Sequence, residues 1–436
     1  AFYGLSSVTS LDVSNFDTSK VTSMSNMFYK TPLKKLTLGD TFKFVKSASG
    51  TAGLTSAWMR EDGKGTFYSA ADFMNNYGTG DLTAGTYVSV ETDTWGTSLY
   101  MFDEDTGTLT IGAGELSSSA ESPWNSDKVD VKAIKKIVLA GKVVAPENAS
   151  LLFTGTSNKG DLTNVTEIEG LSQLDTSNVT DMRSMFYGMS SVTSLDVSGF
   201  DTGNVTDMKS MFNGMSSVTS LDVSGFDTSN VTEMEYMFRH MSSVTSLDLS
   251  NFDTRKVTDM SNMFDDMGSV TSLDLSNFDT SNVTDMSNMF DDMGSVTSLD
   301  LSNFDTSKVT TMSNMFADTP LKKLILGDTF KFVETDGKNA SLTSAWMRED
   351  GTGTFYSAAD FMKNYGTGDL TAGTYVSVET GTWGTSPYTF DENTGVLTIG
   401  AGELSSYKES PWSENKKVDA TAIKKIVLAG KVVAPE

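Results

Sequence analysis

From Val179 to Lys308 the same order of apolar and polar positions is written five times with a period of 26 residues. Val179, Val205, Val231, Val257 and Val283 open the copies, and Val309 opens a sixth that breaks off at Pro320. A fixed period of this length marks a solenoid, in which one repeat cannot bury its own apolar face and stacks on its neighbours to do so. Two spacings run through each copy. Leu195 and Val197 alternate with Ser194, Asp196 and Ser198, which predicts a short strand with its apolar side inward. Val179, Met182, Met185, Phe186 and Met189 fall on one face of a helix, with N-cap candidates at residues 175–178. The expected fold is therefore an α/β solenoid. Short parallel strands form one side, short helices the other, and methionine and phenylalanine fill the space between.

A longer period runs over the first. Pro32 and Pro320, Trp58 and Trp346, Trp95 and Trp383, and Trp124 and Trp412 each stand 288 residues apart. The chain thus repeats a three-part cassette. Residues 1–46 read as the end of one solenoid, 47–92 as an aromatic C-terminal cap, and 93–147 as a small β module that caps the next solenoid. Residues 148–332 read as a complete solenoid, 333–380 as its C-terminal cap, and 381–436 as a second, truncated β module. Residues 47–53 have loop composition, 69–76 suit one or two helical turns, and 85–90 suit a strand. Residues 100–102 and 108–111 form a predicted hairpin about 103–107, with Gly107 at the turn position that needs positive φ. Starting and stopping inside repeats, the chain reads as a piece of a longer protein.

The repeat S-N-V-T-D-M-x-x-M-F-x-x-M-S-S-V-T-S-L-D-V-S-x-F-D-T resembles the 26-residue repeat of BspA-like leucine-rich-repeat proteins of bacterial surfaces, also met in mycoplasma lipoproteins. The resemblance implies a leucine-rich-repeat-like, right-handed stack, carried on an extracellular, cell-wall-associated protein with an adhesive role. It supplies no ligand and no set of functional residues.

Composition narrows the chemistry. Acidic residues outnumber basic ones 57 to 32, for a net charge of −25, which disfavours nucleic acid and anionic lipid as partners. No apolar run is long enough to span a membrane. Cysteine is absent and His240 is the single histidine, so thiol chemistry is excluded and His triads and multi-His zinc sites nearly so. No catalytic residue, metal or cofactor is assigned. The acidic turn at 103–107 lacks calcium-loop spacing. The candidate binding surface is the polar side of the strand ladder: Ser194, Asp196 and Ser198, then Asp222, Asp248, Asp274 and Asp300. Stacked strands would hold these carboxylates about 4.8 Å apart. At that distance they repel by about 1 kcal/mol per pair in water, and the flanking serines can share the charge. A second acidic row, Asp201, Asp227, Asp253, Asp279 and Asp305, is read as helix capping. The copies differ at residues 187–188, 213–214, 239–240, 265–266 and 291–292, where ligand choice could be written. The expected function is non-enzymatic recognition of a host or neighbouring-cell protein or glycan by a monomeric surface adhesin. The alternatives are a structural stalk and a carbohydrate-active module using the Trp and Tyr positions.

Overall fold

The structure is a computed structural model that describes residues 1–45, 51–62, 67–155, 160–350, 355–413 and 418–434. Most of the loop expected at 47–53 lies outside those residues. The fold is a β-solenoid with few helices. Contacts divide the chain into two compact units. One joins Ala1–Val179 to Ser191–Asp201, and the other joins Thr180–Ser190 to Thr202–Glu436.

In the first unit, β1 (Ser10–Val13) runs parallel to β2 (Lys35–Leu38) with Leu11 opposite Leu36. After β3 (Ala57–Arg60) and the helix α1 (Ala70–Asn76) comes β4 (Gly85–Val90), which lies antiparallel between β2 and β3. Ser69 caps α1, its hydroxyl accepting the Asp72 N–H. The predicted aromatics close this end as core: Trp58 stacks on Phe73 at 5.8 Å, and Tyr87 meets Phe73 edge-on at 4.8 Å. A second sheet follows, from β5 (Asp93–Trp95), β6 (Ser98–Asp103), β7 (Thr108–Glu115) and β8 (Lys136–Val144). The hairpin about 103–107 forms, with Gly107 at φ 71°. The crossover to β8 buries Trp124 edge-on against Trp95 at 5.3 Å. Beyond β8 lie β9 (Glu167–Glu169) and β10 (Leu174–Asp175), both parallel to it, so the β module pairs with the first rungs that follow.

In the second unit the repeats end at β11 (Ser298–Leu301), parallel to the closing rung β12 (Lys323–Leu326). The cap repeats with β13 (Ala345–Arg348), β14 (Tyr356–Ser357) and α2 (Ala358–Asn364). Here β15 (Gly373–Trp383) is one long strand that crosses residues 380–381 and pairs with β12, β13 and β16 (Ser386–Asp391). Then β17 (Val396–Glu403) pairs in parallel with β18 (Lys425–Val433).

The helix expected in each repeat is not there. Among the described residues the α-helices lie in the caps, and residues 183–188 are a run of turns. The hydrogen bonds show why. Met185, Tyr187 and Met189 donate N–H to the carbonyls of Met182, Ser184 and Phe186, three residues back. The intervening Met182, Ser184, Phe186 and Gly188 donate instead to Asp207, Lys209, Met211 and Asn213 of the next rung. Ser184 and Gly188 take positive φ, as do Tyr236 and His240, Asn262 and Asp266, and Asn288 and Asp292. A left-handed residue every fourth position cannot belong to a right-handed helix. Backbone groups that a helix would satisfy within itself are satisfied along the stack. One-residue parallel bridges mark the same edge, running Asp181, Asp207, Glu233, Asp259, Asp285 and Thr311.

The apolar set fills the space as expected. Met182, Met208, Met234, Met260 and Met286 are fully buried. Phe186, Phe212, Phe238, Phe264, Phe290 and Phe316 form a column of near-parallel rings 5.8 to 6.0 Å apart. The strand predicted at 194–198 reduces to a single bridge residue at Leu195, whereas the equivalent stretches 10–13 and 298–301 make continuous ladders.

Candidate functional site

The polar side of each rung is built by local chemistry. In the second unit Leu221 and Val223 are buried, which turns Thr219, Ser220 and Asp222 outward. The same alternation exposes Asp248, Asp274 and Asp300. Each carboxylate is pinned to its own chain. Asp222 accepts the Ser224 N–H at 3.0 Å and the Ser224 hydroxyl at 2.6 Å. Asp248, Asp274 and Asp300 accept the N–H groups of Ser250, Ser276 and Ser302, each at 3.0 Å. In the first unit Asp196 is held by Ser198 in the same way, at 3.2 Å from the N–H and 2.6 Å from the hydroxyl, and Ser194 is exposed beside it. These are Asx turns, which fix the side chain without a helix.

The serine bonds hold Asp222, Asp248 and Asp274 below the usual carboxylate range, while Asp248 pushes weakly the other way on both neighbours. Repulsion along the row is thus present and outweighed by hydrogen bonding. One oxygen of each carboxylate is engaged, and Asp222, Asp248 and Asp274 stay ionised further into acid than a free carboxylate. Its chemistry is that of a fixed file of negative charge between exposed Ser and Thr hydroxyls.

The second acidic row has a different role from the one expected. Asp227, Asp279 and Asp305 accept N–H groups two residues on, from Ser229, Ser281 and Ser307, so they make Asx turns rather than helix caps. The adjoining threonines tie the rungs. Thr228 is fully buried, donates its hydroxyl to the Asp253 carbonyl at 3.1 Å and accepts the Asp253 N–H at 2.7 Å.

Two features were missed from sequence. The first is the carboxylate row on the bridge edge. Burial raises Asp207, Glu233 and Asp259 above their ordinary range, with neighbouring carboxylates adding to it. Lys209 pairs with Glu235 beside this row, and Arg183 with Asp181 at 3.2 Å. An acidic residue at every third place of V-T-[DE]-M was its sequence signal. The second is an asparagine clamp: Asn277 Nδ2 donates to the carbonyls of Leu249, Ser250 and Phe252 of the preceding rung.

Three of the five variable pairs, Arg239 with His240, Asp265 with Asp266 and Asp291 with Asp292, line one shallow depression of about 370 Å³; residues 187–188 and 213–214 do not. Arg239 Nε lies 2.6 Å from Asp265, and burial with the charges of Asp265 and Asp318 pushes Asp291 up to about 6. Among the described residues no group of three or more His, Cys, Asp or Glu is arranged to hold a metal ion. Of the tryptophans on which a carbohydrate-active module would draw, Trp58, Trp95, Trp124 and Trp346 are at most 1% exposed, and Trp383 and Trp412 are half-buried. No helix among the described residues is long and apolar enough to cross a membrane.

These features define a tandem-repeat solenoid whose rungs present the same locked polar file. The repeats themselves, over residues 1–38, 156–247 and 234–325, match the repeat-containing family described as "Mycoplasma protein of unknown function, DUF285". No curated protein and no solved structure matches the chain.

Proposed function

We propose that this chain is a non-enzymatic binding protein of a bacterial cell surface, with the exposed Ser/Thr/Asp side of the rungs as its recognition surface. The observation that carries this reading is the row Asp222, Asp248, Asp274 and Asp300, exposed and pinned at the same atom in every rung. A pre-organised row avoids ordering cost on binding, and its repetition multiplies weak contacts. The fitting partner is a protein or glycan offering cationic or hydroxyl groups at rung spacing. Extracellular placement and kinship to BspA-like leucine-rich-repeat proteins rest on the repeat resemblance. The uninterrupted phenylalanine column favours a second reading, a spacer that binds nothing.

The test is a screen of the full chain against arrayed glycans, mucin and matrix proteins, with and without calcium. A saturable hit that the combined Asp222→Asn, Asp248→Asn, Asp274→Asn and Asp300→Asn variant loses supports the adhesin. A blank screen leaves the spacer.

A further inference from the structure

The two cassettes carry the same groove in different states. In the first unit Phe67, just before α1, is 5% exposed and lies over β7. Its ring atoms Cε2 and Cζ stand 3.3 Å from where a Cβ on Gly112 would be, with the Leu99 carbonyl oxygen at 3.4 Å. Gly112 therefore leaves a flat floor on which an aromatic ring rests, and a side chain there would press on that ring.

In the second unit the counterparts are Phe355, Gly400 and Pro387. The Pro387 ring carbon Cγ lies 2.9 Å from the Cβ position of Gly400, so proline now stands at the glycine where Phe67 stands in the first cassette. Phe355 is 41% exposed and lines the groove instead of being buried as Phe67 is. Behind it a cavity of about 600 Å³ stays open between the cap and the sheet of β16 to β18. Its lining includes Val376, Thr398 and Val427, and its rim carries Arg348, Asp391 and Lys425. That volume is in the range of ligand sites, and an apolar floor under a rim of both charges suits an aromatic side chain within a polar backbone.

We propose that this groove is a binding site for an aromatic side chain, Phe or Tyr, presented by a partner protein. The occupant is argued from the chain itself, which fills the matching groove of the first cassette with a phenylalanine. The site is separate from the carboxylate rungs and does not depend on the function assigned to them.

The experiment uses the full chain and N-acetyl-4-fluorophenylalanine amide as probe, read by fluorine NMR line broadening. Broadening is expected with the wild type and with Asp222→Asn, and its loss with Val427→Glu, which puts a charge on the floor. Near-ultraviolet circular dichroism of the Trp383–Trp412 pair, 5.1 Å apart in the same module, checks that the variant folds. Thr398→Lys replaces it if that signal is lost. No broadening with the wild type, or equal broadening with the charged variant, overturns the proposal. So does binding that appears only in Phe355→Ala, since the groove would then be the seat of Phe355.

Discussion

Thr254 does the work of a backbone residue with a side chain. It is fully buried, donates to the Asp279 carbonyl at 2.9 Å and accepts the Asp279 N–H at 2.8 Å. Thr254→Val keeps the shape and removes both bonds, leaving a donor and an acceptor without partners. The expected cost is about 1–3 kcal/mol, read as a lower urea midpoint, whereas Thr258→Val on the exposed edge should cost less. Asp291 supplies a pH signature. Its folded-state value, pushed up to about 6, is above that of an ordinary aspartate, so over that interval the folded protein holds a proton that the unfolded chain has released. Stability then falls as pH rises through that interval. Asp291→Asn should flatten this part of the profile and raise the melting temperature at pH 7. A wild-type profile that rises between pH 4 and 6, with no gain at neutral pH in the variant, would contradict the assignment.

At the scale of the element, the rung is held by turns and stacking rather than by helix or sheet alone. Phe238 touches the Phe212 and Phe264 rings at 5.9 and 6.0 Å, so Phe238→Ala opens a cavity shared by three rungs. The loss expected is about 3–5 kcal/mol, with amide exchange quickening first at the adjoining turns. Gly327 closes the last rung, and a Cβ there would lie 2.0 Å from the Ser302 carbonyl oxygen. Gly327→Ala should therefore disrupt the β11–β12 pairing, seen as lost protection of residues 298–301. Much of this level was legible in advance. The rung spacing, the buried methionines, the cap helix behind Ser69 and the hairpin at Gly107 follow from local patterns. The repeat helix did not, because apolar residues three and four apart suit successive three-residue turns as well as α-helix. The contrary sign was the pairing of Asn262 with Asp266 and of Asn288 with Asp292, residues that tolerate left-handed backbone, four positions apart. The candidate site was legible as a file of aspartates whose charge the flanking serines share, as the Ser198 and Ser224 hydroxyls do. The backbone N–H of the second residue on, which closes the Asx turn, was not, since Asp-x-Ser also reads as a strand edge.

At the scale of the whole molecule, stability should behave as a sum of rungs and their interfaces. Excision of residues 231–256 joins Asn230 to Val257, the same Asn–Val junction already made at Asn178, Asn204 and Asn282. That shortened chain should fold and keep its near-ultraviolet spectrum. Excision of half as many residues should not, because the phenylalanine column, the threonine ties and the bridge edge would lose register together. Circular dichroism and limited proteolysis of the two deletions decide the point.

The equivalence of rungs reaches back to the gene. Near-identical tandem copies invite slippage and unequal recombination, and each such event adds or removes a whole number of codons. If whole rungs can be added or removed as the deletion predicts, these accidents keep the reading frame and the fold at once. Alleles of this locus should therefore differ first in copy number, and the length of the solenoid should change in steps of one rung.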